Sequence, residues 1–126
     1  MKKKPLYRSF GYAFEGIFNT IKSERNMKIH CFMTVCVVIA GLLFRISYME
    51  WLVCLVLFGL VTSLELVNTS LEAVVDLVTE ERRPLAKKAK DAAAGAVLAS
   101  AIFAAIIGLI IFLPKLPVFL HAAGLL

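Results

Sequence analysis

The apolar positions of this chain fall into two regimes. Between residues 5 and 23, Leu6, Phe10, Ala13, Phe14, Ile17 and Ile21 recur at steps of three and four, while Arg8, Ser9, Glu15, Asn19 and Lys22 take the rest of the helical wheel. This pattern predicts an amphipathic helix lying on a membrane surface, with Pro5 suited to its first turn. A soluble partner-binding helix would share the wheel, but the chain beyond it is too apolar to suit that alternative. Three nearly uninterrupted apolar stretches follow, residues 29–46, 51–78 and 92–113. Each is long enough to cross a hydrocarbon core of about 30 Å as a helix. Pro114 and Pro117 are expected to end the third. With no repeat, low-complexity run or long linker, the expectation is an all-α integral membrane protein. It forms one domain over residues 1–126, a surface helix followed by three transmembrane helices.

Composition strengthens this reading. The 126 residues are 60% hydrophobic and only 18% charged, with a mean hydropathy of +0.85, which excludes an ordinary soluble domain of this size. The net charge of +5 comes from Lys and Arg concentrated in the N-terminal segment and in residues 82–90. Such asymmetry concerns membrane topology, and no nucleic-acid partner is expected. The segment from Arg45 to Glu50 balances its charges, whereas TEERRPLAKKAKD, residues 79–91, carries Arg82, Arg83, Lys87, Lys88 and Lys90. The positive-inside rule puts the N-terminus and this second loop in the cytoplasm. The PKLPVFLHAAGLL tail then lies outside. MKKK resembles the start of a secretory signal, but PLYRSFGYAFEGIFNTIKSER places charges where an apolar core is required, so no cleavable signal is expected. Cys31, Cys36 and Cys54 lie in apolar runs without metal-ligand spacing and read as free thiols.

The second apolar stretch changes character at its end. WLVCLVLFGLVTSL runs without a turn residue into LELVNTSLEAVVD, so Glu65, Asn68, Glu72 and Asp76 share one helix. At about 100° per residue, Glu65, Thr69, Glu72 and Asp76 fall within roughly 60° of one another, with Asn68 beside them. A carboxylate at the membrane boundary costs at least a few kcal/mol unless paired or metal-bound, which makes Glu65 a functional candidate. Glu65 and Glu72 are seven positions apart. That is roughly 10 Å along the axis, too far for one ion. One can hold a metal while the other does different chemistry. Glu24, in KSERNMKIH, opens the first membrane helix at the same level and can approach Glu72; two carboxylates plus phosphate oxygens make a plausible Mg²⁺ site. Lys90 and Asp91 enter the third helix there, followed by the small-residue face of DAAAGAVLAS. A Lys at this point can neutralise charge developing in phosphoryl transfer.

Blander readings apply to several of these residues. Asp76, Glu80 and Glu81 suit a solvated helix face, Lys87 and Lys88 suit topology charges, and His30 suits a local hydrogen bond at a helix start. No GxxxxGK[ST] loop, kinase glycine loop or GxSxG occurs, so a phosphotransferase here must be built from helices alone.

ELVNTSLEAVVD with KDAAAGAVL starting fourteen positions beyond its final Asp76 resembles the small prokaryotic integral-membrane diacylglycerol kinase family. SERN, PLAKKAKDAAAGAVL and IIFLPKL look more like its Gram-positive branch of undecaprenol kinases than like the Gram-negative diacylglycerol kinases. The resemblance implies a homotrimeric bundle in the bacterial cell membrane, MgATP as phosphoryl donor and a lipid alcohol as acceptor, with the active site facing the cytoplasm. By position it implies Glu65 as catalytic base and substrate contact, Glu24 and Glu72 as metal and nucleotide ligands, and Asn68 as an active-site residue. Tyr12, Glu81, Arg82, Arg83, Lys90 and Asp91 take nucleotide-contact positions. The two arginines depart from the Gram-negative pattern, and Ala94 stands where that branch has a serine near the lipid.

The expected reaction is phosphorylation of undecaprenol to undecaprenyl phosphate, with diacylglycerol to phosphatidic acid as the nearest alternative. From a different class, a small ion- or proton-coupled transport subunit would use Glu65 as a proton relay, but outward of Glu65 its helix offers only Thr62 and Ser63 as polar steps. A structural assembly protein leaves the spacing of Glu65, Asn68 and Glu72 unexplained.

Overall fold

The computed structural model describes residues 5–126; the lysines of MKKK, counted above among the N-terminal charges, lie outside them. The described chain is helical almost throughout. Helix α1 spans Leu6–Ser23, α2 Arg25–Phe44, α3 Tyr48–Val78 and α4 Pro84–Phe112; a 3₁₀ turn over Leu113–Lys115 leads into a short α5 at Leu116–Ala122.

A single residue separates α1 from α2. Glu24 is extended (φ −92°, ψ 120°), and it is at once the C-cap of one helix and the N-cap of the next. The apolar residues of α1 find no cover within the chain, with Leu6, Phe10 and Phe14 all exposed, as a helix resting on lipid requires. Only Thr20 is buried there, its hydroxyl donating to the Gly16 carbonyl at 2.9 Å.

Three segments, Arg25–Phe44, Tyr48–Val78 and Pro84–Ala122, are long and apolar enough to cross a membrane, with mean hydropathies of 2.1, 2.0 and 2.9 over their most apolar windows. Their large side chains point outward: Phe32, Leu42, Val56 and Phe103 are all more than half exposed. In water such a surface would aggregate; in lipid it is ordinary. The protein is therefore a membrane protein. Helix α3 has 31 residues, about 46 Å at roughly 1.5 Å each, so it outlasts the hydrocarbon.

The end of the bundle remote from Glu24 is pinned by local chemistry. Arg45 adopts a left-handed conformation (φ 51°) that ends α2, and Ser47 with Glu50 forms a capping box that starts α3, with bonds of 2.7 and 3.2 Å. Gly41 faces the Trp51 ring so closely that a Cβ there would lie 2.7 Å from it. Around them Ile46, Cys54 and Ile111 form a small core with Phe44, Trp51, Phe58 and Phe112 against it. Cys54 is thus a buried free thiol, and Cys31 and Cys36 are free as well.

Two boundaries differ from the sequence reading. The third long helix begins at Pro84 rather than residue 92, and only residues 79–83 form the connection. Proline at the first helical position forfeits no hydrogen bond, and the Ala- and Lys-rich stretch after it favours helix. Lys87, Lys88, Lys90 and Asp91 therefore stand on α4 itself. The first membrane helix likewise runs from Arg25 to Phe44 rather than over residues 29–46. Helix α4 ends at Phe112, just before Pro114, whereas Pro117 lies in the first turn of α5; Phe119 of α5 stacks on Phe44 with ring centroids 4.5 Å apart.

Candidate functional site

Helix periodicity places Glu65, Asn68 and Glu72 on one face of α3, and packing then buries them unequally. Glu65 is 2% exposed and Asn68 6%, whereas Glu72 is half-buried and Asp76 exposed. The stripe thus descends from the bundle interior to its surface within three turns.

A cavity of about 260 Å³ opens on this face. It is lined by Glu65, Asn68 and Glu72 of α3, by Asn26 and His30 of α2, and by Ala94 and Val97 of α4. The Asn68 amide donates to Glu72 Oε1 in a long bond of 3.5 Å. The Thr69 hydroxyl turns back to the Glu65 carbonyl at 3.0 Å, which leaves the Glu65 carboxylate to other partners. Glu65 Oε2 and Asn68 Oδ1 are buried without any hydrogen-bond partner among the described residues. Both are acceptors, and no donor stands within hydrogen-bond distance of either. Unsatisfied buried acceptors are uncommon enough to require an explanation, and a visiting hydroxyl supplies one.

Three ionisable neighbours act electrostatically on Glu65: His30, Glu24 and Glu72. Glu24 itself does not line this cavity. Its extended backbone turns the chain from α1 into α2, and its Oε1 accepts from the Ser23 hydroxyl at 3.1 Å. His30 stands with Nε2 3.9 Å from Glu65 Oε2. Its side chain faces a neighbouring helix, instead of the local bond expected at a helix start.

The remaining sequence-predicted residues gather elsewhere. Glu81, Arg82, Arg83, Lys90 and Asp91 line a larger cavity of about 630 Å³ at the α3–α4 connection, together with Asp76 and Lys87. Here three cations are held by acids. Arg83 donates to Glu81 at 3.0 and 3.2 Å, Lys87 pairs with Asp91 one turn along α4, and Lys90 pairs with Asp76 across the two helices. Asp76 is therefore more than a solvated acid, a role sequence periodicity could not show because Lys90 reaches it from another helix. Tyr12 is on α1, in a shallow groove of about 440 Å³ with Arg8 and Glu15. The chain therefore brings Glu65, Asn68 and Glu72 together, leaves Glu24 at the α1–α2 junction outside their cavity, and groups Lys90 and Asp91 with the loop residues in a separate cavity.

Most of the chain is similar to known lipid kinases. The prokaryotic diacylglycerol kinase family matches residues 11–112. An undecaprenol kinase of Bacillus subtilis is 49% identical over 111 residues, covering 88% of this chain and 90% of that protein. A diacylglycerol kinase of Synechocystis is 45% identical over 112 residues, 88% of this chain and 64% of that longer protein. One from Helicobacter pylori (strain J99) is 34% identical over 105 residues, 82% of this chain and 81% of that protein.

Proposed function

Since the chain belongs to the prokaryotic diacylglycerol kinase family, and so is a lipid kinase using ATP, we propose that it transfers the γ-phosphoryl group of MgATP to the hydroxyl of undecaprenol. The observation that carries the chemistry is the pair of buried, partnerless acceptors, Glu65 Oε2 and Asn68 Oδ1. A lipid alcohol keeps its tail in hydrocarbon and presents one O–H at the boundary, a donor suited to these acceptors. The greater likeness to the undecaprenol kinase than to the diacylglycerol kinases supports undecaprenol as the acceptor.

In this reading the Glu65 carboxylate accepts the hydroxyl proton as the lipid oxygen forms its bond to the γ-phosphorus. The bond from that phosphorus to the β,γ-bridging oxygen breaks and ADP leaves. Asn68 holds the hydroxyl or a phosphoryl oxygen beside the base. Glu24 and Glu72 suit Mg²⁺: both are oxygen donors with lone pairs left open by a single hydrogen bond each. No group of three acids, histidines or cysteines able to hold a metal occurs among the described residues, and Mg²⁺ favours one or two carboxylates completed by water and phosphate. When bound, the ion neutralises phosphate charge. Lys90, Arg82 and Arg83 supply cations to the nucleotide from the larger cavity, Lys90 and Arg83 exchanging their acidic partners for phosphate.

The site acts at the cytoplasmic side, where ATP is available and where the cationic connection belongs. We place it in a homotrimer, because Ala92, Gly95, Ala96 and Ala99 form an exposed small-residue face, with open space where a Gly95 side chain would be, suited to another helix. A proton path across the bilayer gains no support, since the Thr62 hydroxyl is engaged by the Phe58 carbonyl at 2.7 Å. Purified protein with γ-labelled ATP and Mg²⁺, offered undecaprenol, diacylglycerol or ceramide in separate mixed micelles, tests the reading. Undecaprenol is expected to take the label fastest; faster labelling of diacylglycerol overturns the acceptor, and labelling of none overturns the reaction.

A further inference from the structure

Glu65 is buried to 2% exposure with one oxygen unpartnered. A carboxylate in that state is free to rotate, and a general base works only while its lone pair faces the proton it removes. Its surroundings include two further acids, Glu24 from the α1–α2 junction and Glu72 from its own helix. A carboxylate offers only acceptors, so neither can hold the base in one orientation. Asn68 directs its amide hydrogens at Glu72. The Thr69 hydroxyl is spent on the Glu65 carbonyl. His30 is different: it carries a donor nitrogen, comes from α2, and stands with Nε2 3.9 Å from the orphaned Oε2. That separation exceeds a hydrogen bond and lies within reach of a small side-chain rotation.

We propose that His30 is a positioning residue for Glu65: its Nε2–H donates to Oε2 and fixes the carboxylate so that the remaining lone pairs face the lipid hydroxyl. The donor is present in the neutral Nε2–H tautomer as well as in the imidazolium, so the role does not depend on titration of the ring. A base oriented by a third group recurs wherever a side chain must be held in one rotamer for proton transfer. Here the third group also ties the rotation of α2 to the base on α3. The inference rests on the reading of Glu65 as the base.

The test uses the full chain in undecaprenol mixed micelles. His30→Leu keeps bulk and removes the donor; His30→Gln keeps an N–H near the same place. His30→Leu is expected to lower kcat roughly ten- to a hundredfold, with KM for ATP and thermal midpoint unchanged. His30→Gln should recover most of that loss. On a Glu65→Gln background, where no carboxylate remains to be held, adding His30→Leu should change kcat by less than about twofold. Equal losses in His30→Leu and His30→Gln, or losses that multiply with Glu65→Gln, overturn the proposal. If Glu65→Gln abolishes turnover while His30→Leu leaves it intact, the positioning role fails and the base survives. If Glu65→Gln itself keeps turnover, the base reading fails and this role with it. Should His30→Leu not assemble, His30→Met against His30→Gln makes the same comparison.

Discussion

Lys115 in the 3₁₀ turn donates to Glu50 Oε1 at 2.7 Å, while the other oxygen of the same carboxylate closes the capping box on Ser47 at 2.7 Å. One acid thus starts α3 and anchors the chain that follows α4, both at the end of the bundle away from Glu65. Glu50→Ala removes both bonds and is expected to destabilise the protein by about 1–2 kcal/mol. Lys115→Met removes only the ion pair and should cost about half as much. Thermal denaturation in detergent checks the order, and neither variant should change KM for ATP.

Gly41 leaves no room for a side chain. A Cβ would stand 2.7 Å from Trp51 Cη2 and 2.8 Å from Cζ2, so Gly41→Ala forces the ring to move and is expected to destabilise by about 1–3 kcal/mol. Trimming the ring in Gly41→Ala/Trp51→Phe should restore part of that stability. A Gly41→Ala protein with an unchanged melting midpoint would show that the ring shifts freely.

Glu65→Gln should cut turnover at least about a hundredfold, the low end for removal of a general base. The substitution keeps shape and removes a buried charge, so the folded protein should be as stable as before or more so. Affinity for MgATP, measured by calorimetry, should stay near its original value.

Glu24→Gln and Glu72→Gln should each raise the Mg²⁺ concentration needed for half-maximal activity. Because both disable one site, the double variant should be little worse than the worse single. Multiplicative losses in Mg²⁺ titrations would argue against a shared ion.

What could be read in advance depended on whether a relationship was local. Glu65, Asn68 and Glu72 lie on one helix, so periodicity alone aligned them, and an acid inside apolar sequence marked itself by its solvation cost. The clustered lysines before residue 92 suggest a loop, yet Pro84 and the alanines after it are the stronger helix signal and start α4. His30 beside Glu65, Lys90 on Asp76 and Lys115 on Glu50 join different helices. Which side chains meet there is set by the rotation of each helix about its axis, and a single sequence contains no direct record of it.

The distribution of the site over two cavities bears on assembly. Glu65 opens on the smaller cavity, whereas Asp91 lines the larger one and is engaged by Lys87 of its own helix. Within one chain the base and Asp91 therefore do not share a cavity, and three membrane helices with one surface helix are too few to enclose MgATP and a lipid headgroup. A symmetric oligomer with sites at subunit boundaries removes both difficulties. If Glu65 of one subunit works against Asp91 of its neighbour, inactive Glu65→Gln and inactive Asp91→Asn subunits mixed before assembly should regenerate some boundaries with both residues intact. In a trimer combined at equal ratio, the restored activity should be a minor fraction of the unmodified protein's, and it should vanish when either variant is present alone. Differently tagged subunits, purified in sequence on both tags, ensure that every oligomer assayed contains both chains. Such oligomers showing no activity at any mixing ratio would place Glu65 and Asp91 in the service of the same subunit's site, and the exposed Ala92–Ala99 face would then need another occupant.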